Sequence, residues 1–270
     1  MDAFFDDDID FKGMQKGLSP RNSMHMKRKL THAITGLSMA SLYQLMPKKI
    51  FCSIFGGCSI GLLAVEVLRY RKGFKWINRV YFKVFGGVLR KHEMDGKFTG
   101  TFYYFAGVTA TALLFPPPAA VLGIAQLAIA DPTASFFGRK TKDVYWSRIE
   151  GGFGGIGRNK GVLGFLGGAA SCWPLNFALL NKATFVTQVP TVGTMAWVSA
   201  AIGMAGALAD LAVPTPTLSI PKGTKWCGIK IPQFHVDDNF FVPVFSGYAA
   251  MKILEGAGIE GLKLSRYMIF

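Results

Sequence analysis

Long apolar runs alternate with short polar and charged blocks along most of the chain. The runs are roughly 17–23 residues long, which lets an α-helix rising about 1.5 Å per residue cross a hydrocarbon core about 30 Å thick. The pattern therefore predicts an all-α, polytopic integral membrane protein with about seven transmembrane helices. The predicted segments are residues 30–46, 50–68, 98–115, 117–138, 161–180, 191–213 and 239–254.

Two polar regions stand apart from these runs. Residues 1–29 are acidic at first and then basic, and we expect them to form a polar cytoplasmic N-terminal head, with residues 30–270 as a single transmembrane domain. Residues 69–97 interleave aromatic and basic side chains, which is typical of an amphipathic helix lying along a membrane surface. A solvated loop is the alternative there, and the aromatic content favours a cytoplasmic interfacial helix.

The basic residues are unevenly distributed between the polar blocks. If residues 1–29 are cytoplasmic and the chain then alternates, 24 of the 30 lysines and arginines lie in cytoplasmic blocks. Cytoplasmic loops of membrane proteins carry such an excess. The distribution therefore predicts a multi-pass protein with a cytoplasmic N-terminus.

Composition narrows the class of protein further. Only 17% of the residues are charged, against about 25% in soluble domains, which argues against an ordinary soluble enzyme and a disordered chain. We interpret the net charge of +14 as contact with anionic phospholipid rather than with nucleic acid. The four cysteines are scattered and form no CxxC pair, so neither a zinc site nor a disulfide framework is expected.

Asp131 interrupts the fourth apolar run. A charge in hydrocarbon costs several kcal/mol, so an acid at this depth is a candidate functional residue. Pro132 follows and lacks an amide hydrogen, and small residues including Ser135 come next. We expect a broken helix near the cytoplasmic face, where a ligand can approach the backbone closely.

Two further acids lie near the predicted cytoplasmic ends of apolar runs. Glu66 precedes Arg69 by three residues, and we interpret it as a charge that extends to the membrane surface. Asp210 lies in a run of small apolar residues. Structural and functional roles stay equally open for Asp210.

A glycine-rich stretch precedes the fifth run. Residues 152–157 match G-x-G-x-x-G, but no convincing strand precedes them, so a dinucleotide-binding unit is not expected. Backbone amides at a helix start, together with Arg158 and Lys160, are suited to binding a phosphate chain. The alternative is a mobile loop in which Gly164 and Gly168 serve close helix packing.

Asp237, Asp238 and Asn239 stand at the start of the last run. Acids and asparagine at this position commonly cap a helix. Clustered oxygen ligands opposite a cationic loop also suit Mg²⁺ or Ca²⁺. Capping and metal binding therefore both stay open, and one does not exclude the other.

Several strings together match a known family. They are RKLTHAITG at 28–36, INRVYFKVFGGVLRKHE at 77–93, FTGTFYYFAG at 98–107, LAIADPTASFFGRK at 127–140, RNKGVLGFLGG at 158–168 and DDNFFVPVFSG at 237–247. The chain resembles the CTP-dependent diacylglycerol kinases of the endoplasmic reticulum membrane, relatives of the dolichol, phytol and farnesol kinases. The strings run in family order and cover most of residues 28–250.

The resemblance implies phosphoryl transfer from CTP to the hydroxyl of diacylglycerol, which gives phosphatidate and CDP. It places the family's basic pair on Arg28 and Lys29, its essential acid on Asp131 and its glycine on Gly138.

A mechanistic hypothesis extends these assignments, since phosphoryl transfer needs positioning and neutralised charge. We expect Arg139, Arg158 and Lys160 to bind the triphosphate beside Gly138 and Asn159, with Arg28 and Lys29 contributing from the first helix. Asp131 either accepts the hydroxyl proton or binds a divalent cation, Mg²⁺ or Ca²⁺. The remaining candidates are Asp237 and Asp238 as metal ligands, Asn239 as a metal or ribose ligand, Glu93 as a residue that orients an arginine, Arg90 in the R-K-H-E string, and Ser135.

Other functions compatible with the pattern are a kinase for polyprenols such as dolichol or phytol, a small membrane transporter, and a non-catalytic membrane scaffold. No inverted repeat is visible between the two halves, which disfavours transport. An oligomer is compatible with every one of these functions.

Overall fold

The computed structural model describes residues 26–71, 73–85, 97–141, 148–149, 157, 160–186, 189–213, 225–226, 229–230, 233–259 and 261–265. Within these ranges the chain is mostly helical. The helices are α1 (Met26–Leu45), α2 (Lys48–Leu68), α3 (Lys75–Phe85), α4 (Gly100–Leu114), α5 (Pro117–Lys140), α6 (Val162–Asn181), α7 (Val192–Ala212) and α8 (Asp238–Gly256). Each of the seven predicted apolar segments coincides with a helix, and α3 lies in the predicted amphipathic stretch.

Among the helices in the described ranges, four are long and apolar enough to cross a membrane. They are α2, α5, α6 and α7. The prediction of seven spans therefore stays unconfirmed for α1, α4 and α8, and α4 has only 15 residues. The interfacial location of α3 and the separate N-terminal head also stay predictions, and residues 1–25 lie outside the described ranges.

Helix α5 forms the centre of the bundle. It packs against α1, α6, α7 and α8, and most of its side chains from Ala119 to Ala130 are fully buried. Small residues allow this close packing: a Cβ atom on Gly123 would lie 2.6 Å from the carbonyl oxygen of Pro243 in α8. Interhelical contacts through small residues are the usual way in which membrane helices associate.

In the described part of the chain, two short antiparallel strand pairs depart from the all-helical prediction. Strand β1 (Arg148–Ile149) pairs antiparallel with β2 (Lys160–Gly161), and β3 (Lys225–Trp226) pairs with β4 (Ile229–Lys230). Strand β2 leads directly into α6. Because of this connection, Lys160 lies at the N-terminal end of α6.

The prediction of a broken helix at Pro132 is wrong. Helix α5 runs without interruption from Pro117 to Lys140. Proline removes one backbone hydrogen bond, but neighbouring side chains bind the carbonyls around it. The Thr133 hydroxyl donates to the carbonyls of Ile129 and Ala130, and Lys29 of α1 donates to the carbonyl of Pro132 itself.

The interpretation of Glu66 as a charge extending to the membrane surface is also wrong. Its side chain is fully buried, and its carboxylate lies 2.9 Å from the Arg69 guanidinium. The Thr99 hydroxyl donates to the other carboxylate oxygen. Arg69 also donates to the Lys97 carbonyl, so α2 and the segment before α4 enclose the ion pair.

The packing role predicted for the glycines of α6 is confirmed. A Cβ atom on Gly164 would lie 2.7 Å from the carbonyl oxygen of Ala134, and one on Gly168 would lie 3.2 Å from the Ala134 side chain. Gly138 meets Gly164 at the same contact. These glycines bring the end of α5 against the start of α6.

Candidate active site

Three aspartates from three different helices converge at one end of the bundle. Asp131 comes from the second half of α5, Asp210 from the last turn of α7, and Asp238 is the first residue of α8. Each offers a carboxylate oxygen, and these oxygens all lie within 4.8 Å of one another. We call Asp131, Asp210 and Asp238 the carboxylate trio.

Lys160 lies beside the trio at the entrance to α6. Its ammonium is 3.1 Å from Oδ1 of Asp210 and is mostly buried. Burial alone would lower the pKa of Lys160, but the charges of Asp210, Asp238 and Asp131 raise it above its ordinary value. The lysine is therefore positively charged at neutral pH.

Helix α1 contributes two side chains, one turn apart, to the same region. Lys29 donates to the Pro132 carbonyl at 3.0 Å. His32 is 3.0 Å from the Leu127 carbonyl oxygen and 3.6 Å from Oδ2 of Asp131. These two residues join α1 to α5 on either side of Asp131.

Asp237 lies outside the trio, although its neighbour Asp238 is part of it. Its carboxylate accepts from the backbone amide and the side-chain amide of Asn239, so it caps α8. Its other oxygen is 3.2 Å from Nε2 of His235. Burial and the charge of Asp238 raise the pKa of Asp237. Of the two roles predicted for Asp237 the contacts favour capping, and Asp210 occupies the third position of the acidic group.

The other described candidates lie around this centre. Ser135 is one helical turn beyond Asp131, and Arg139 is about 12 Å from Asp131 along the α5 axis at 1.5 Å per residue. Arg28 precedes Lys29 in the first turn of α1. Asn239 is buried, and its side-chain amide also donates to the Gly100 carbonyl, which joins the start of α8 to the start of α4.

Four candidates lie outside the described residues, namely Arg90, Glu93, Arg158 and Asn159. Their predicted roles stay predictions.

Two members of this region were not selected from the sequence. Asp210 had no preferred role, and its signal is the one that identified Asp131, an acid near the predicted cytoplasmic end of an apolar helix. His32 stands three residues after Lys29, so both side chains lie on the same face of α1. That spacing is the local signal for His32, but only the packing of α1 on α5 shows what it contacts.

The carboxylate trio has the chemistry of a site for a hard divalent cation. Mg²⁺ and Ca²⁺ take carboxylate oxygens as ligands, and Mg²⁺ commonly uses a few carboxylates together with phosphate oxygens. Three convergent carboxylates beside a lysine fit that donor set. The site also lies where the ends of α5 and α7 meet the starts of α1, α6 and α8.

Comparison with known proteins bears on the same residues. No family model matches the chain, and no solved structure matches it. The CTP-dependent diacylglycerol kinase 1 of Schizosaccharomyces pombe (strain 972 / ATCC 24843) is 26% identical to it over 182 residues, which cover 64% of this chain and 69% of that protein. This similarity confirms the resemblance to the CTP-dependent diacylglycerol kinase family that the motifs predicted.

Proposed function

We propose that this protein is a CTP-dependent lipid kinase that phosphorylates diacylglycerol to phosphatidate. The observation that carries the proposal is the carboxylate trio with Lys160 beside it, in a chain whose curated relative is named for this activity. Phosphoryl transfer requires charge neutralisation and in-line positioning more than covalent chemistry. Acids and cations that converge from separate helices meet that requirement.

Asp131, Asp210 and Asp238 would hold a divalent cation, Mg²⁺ or Ca²⁺. When bound, such a cation neutralises negative charge on phosphate oxygens. Because the three carboxylates share one small volume, the geometry favours the metal-ligand role of Asp131 over the proton-acceptor role.

The basic residues around the trio would bind the triphosphate of CTP. Lys160 is at the trio itself, and Arg139 lies further along α5. Arg158 and Asn159, in the segment before β2, would complete the phosphate-binding group. Arg28 and Lys29 approach from α1, where Lys29 also stabilises the α5 backbone next to Asp131.

Diacylglycerol would reach the site from the side, within the bilayer. Its acyl chains would stay among apolar helices while its hydroxyl group meets the nucleotide at the membrane surface. The hydroxyl oxygen then forms a bond to the γ-phosphorus and gives up its proton to water, and the bond between that phosphorus and the bridging oxygen breaks, which releases CDP. We place this chemistry on the cytoplasmic face of the endoplasmic reticulum membrane, because nucleotide is available there and the basic blocks predict that orientation.

The direct test is a transfer assay with purified protein in mixed micelles. The protein is incubated with γ-labelled CTP or ATP and with diacylglycerol, dolichol or phytol, in the presence and absence of Mg²⁺ or Ca²⁺. Labelled lipid is separated by thin-layer chromatography. We expect label in phosphatidate, dependence on a divalent cation, and preference for CTP over ATP.

Each arm of the assay tests a different part of the proposal. Label in a polyprenyl phosphate but not in phosphatidate would show that the acceptor is a polyprenol and not diacylglycerol. Transfer from ATP at the same efficiency as from CTP would remove the donor preference. No labelled lipid with any acceptor would contradict the kinase activity itself.

A further inference from the structure

His32 of α1 has a defined hydrogen-bonding state. Its Nε2 atom is 3.0 Å from the Leu127 carbonyl oxygen, and a carbonyl can only accept a hydrogen bond. Nε2 therefore carries the proton and donates it. A protonated nitrogen has no lone pair for a metal, so this atom is not itself a metal ligand.

The same N–H group faces the trio. Oδ2 of Asp131 lies 3.6 Å from Nε2, which is too long for a hydrogen bond but close enough for an attraction between the N–H dipole and the carboxylate charge. Leu127 and Asp131 are four residues apart, so both acceptors lie on one face of α5. One N–H group of α1 therefore interacts with the α5 backbone and with the Asp131 carboxylate together.

The imidazole ring is held in place from a third side. The Tyr104 ring meets it edge to face, with centroids 4.7 Å apart, and the Tyr104 hydroxyl donates to the His32 carbonyl. Gly36, one turn along α1, has no side chain and so makes room for Tyr104 and Ala128. The His32 side chain is consequently mostly buried, with 11% exposed, and it is held beside Asp131.

We propose that His32 is a positioning residue for Asp131, which it orients so that the Asp131 carboxylate faces Asp210 and Asp238. This inference rests on the proposed function, because it assigns the trio to a divalent cation. Groups that hydrogen-bond or orient a metal ligand typically change metal affinity about 10- to 100-fold when they are removed. His32 acts on the cation through Asp131 and does not contact the reacting atoms.

The test is a titration of detergent-solubilised full-length protein with Mn²⁺ alone, followed by electron paramagnetic resonance. H32F retains the ring and the Tyr104 contact but loses the N–H group, and we expect it to weaken Mn²⁺ binding about 10-fold or more. H32Q places an amide nitrogen near the position of Nε2, and we expect it to restore most of the affinity. T31A changes an exposed neighbour on the same helix and serves as the matched control, with affinity unchanged.

Unchanged Mn²⁺ affinity in H32F would overturn the proposal, and so would failure of H32Q to restore Mn²⁺ binding. A third contradicting result is a double variant, H32F/D131N, whose Mn²⁺ affinity falls below that of D131N by the full factor seen for H32F alone. If H32F does not fold, H32Q and H32N decide the matter, since asparagine is too short to reach Leu127 and Asp131. Equal affinities in that pair would refute the positioning role. Wild-type protein that binds Mn²⁺ but labels no lipid would refute the proposed function and leave the role of His32 intact.

Discussion

Acids lie near helix ends at two of the sites described above, the Glu66 cluster (Glu66, Arg69 and Thr99) and the carboxylate trio, and their partners differ. In one, Glu66 is fully buried and its carboxylate is bound by Arg69 and by the Thr99 hydroxyl. In the other, Asp131 keeps 22% of its side chain exposed and shares a small volume with two more carboxylates. The first site pairs one acid with a cation and a hydroxyl donor, whereas the second brings three carboxylates together, with Lys160 bound to Asp210.

On this difference we base our proposal of a structural role for the Glu66 cluster and a functional role for the trio. A buried acid is tolerated when a cation and hydrogen bonds compensate it, and the Glu66 cluster has that compensation within the fold. Carboxylates that face one another repel, and a divalent cation bound between them would offset that repulsion. Partial exposure of Asp131 gives such a ligand access.

The largest effect is expected from D131N. Removing one carboxylate of the trio should reduce kinase activity by about 10³-fold or more, equivalent to roughly 4 kcal/mol in activation free energy. The melting temperature should stay the same or rise, because a source of like-charge repulsion is gone. Phosphatidate formation and thermal unfolding, measured on the same preparation, check both statements.

E255Q is the matched control for D131N. It also neutralises one acid, but Glu255 is exposed and pairs with Lys252 on the surface of α8. Activity should be unchanged in this variant. An active D131N protein would remove Asp131 from the mechanism and make the trio no more functional than the Glu66 cluster.

The sequence predicted the helices well because each apolar run is a local signal. All seven predicted segments coincide with helices to within a few residues, and Asp131, Asp238 and Lys160 do come together. Contacts between helices were harder to predict. The burial of Glu66 depends on Thr99 and Lys97, some thirty residues away, and the choice of Asp210 over Asp237 depends on how α7 packs beside α8. No local pattern contains that information.

E66A should produce the opposite phenotype to D131N. It leaves the Arg69 guanidinium buried without its carboxylate, which typically costs about 3–5 kcal/mol of folding free energy. We expect a large drop in melting temperature, while the folded fraction keeps specific activity close to that of the wild type. The double variant E66L/R69M removes both charges and should recover most of the lost stability. A stable but inactive E66A protein would show that the two clusters are not separable in this way.

A smaller effect on stability is expected from G164A, which probes the support of the trio rather than its charges. The added methyl group would lie 2.7 Å from the Ala134 carbonyl oxygen, a backbone atom, and would push α5 and α6 apart at a cost of about 1–3 kcal/mol. G61A in α2 is the control, because no heavy atom lies within 4 Å of the added carbon. Equal melting temperatures for the two variants would contradict the close α5–α6 contact.

K160A tests whether Lys160, the lysine beside the trio, has a different role from Arg69, the arginine that pairs with Glu66. Lys160 is 20% exposed and Arg69 is fully buried, so only Lys160 can turn toward an incoming triphosphate. We expect the KM for CTP to rise about 10-fold, equivalent to about 1.4 kcal/mol of binding, with a smaller change in kcat.

K160R keeps the charge, and its KM for CTP should lie between those of K160A and the wild type. The neighbouring carboxylates raise the pKa of Lys160, so the lysine itself stays charged throughout pH 6–8. An unchanged KM would mean that Lys160 only balances Asp210, as Arg69 balances Glu66, and the distinction between the two clusters would then rest on the carboxylates alone.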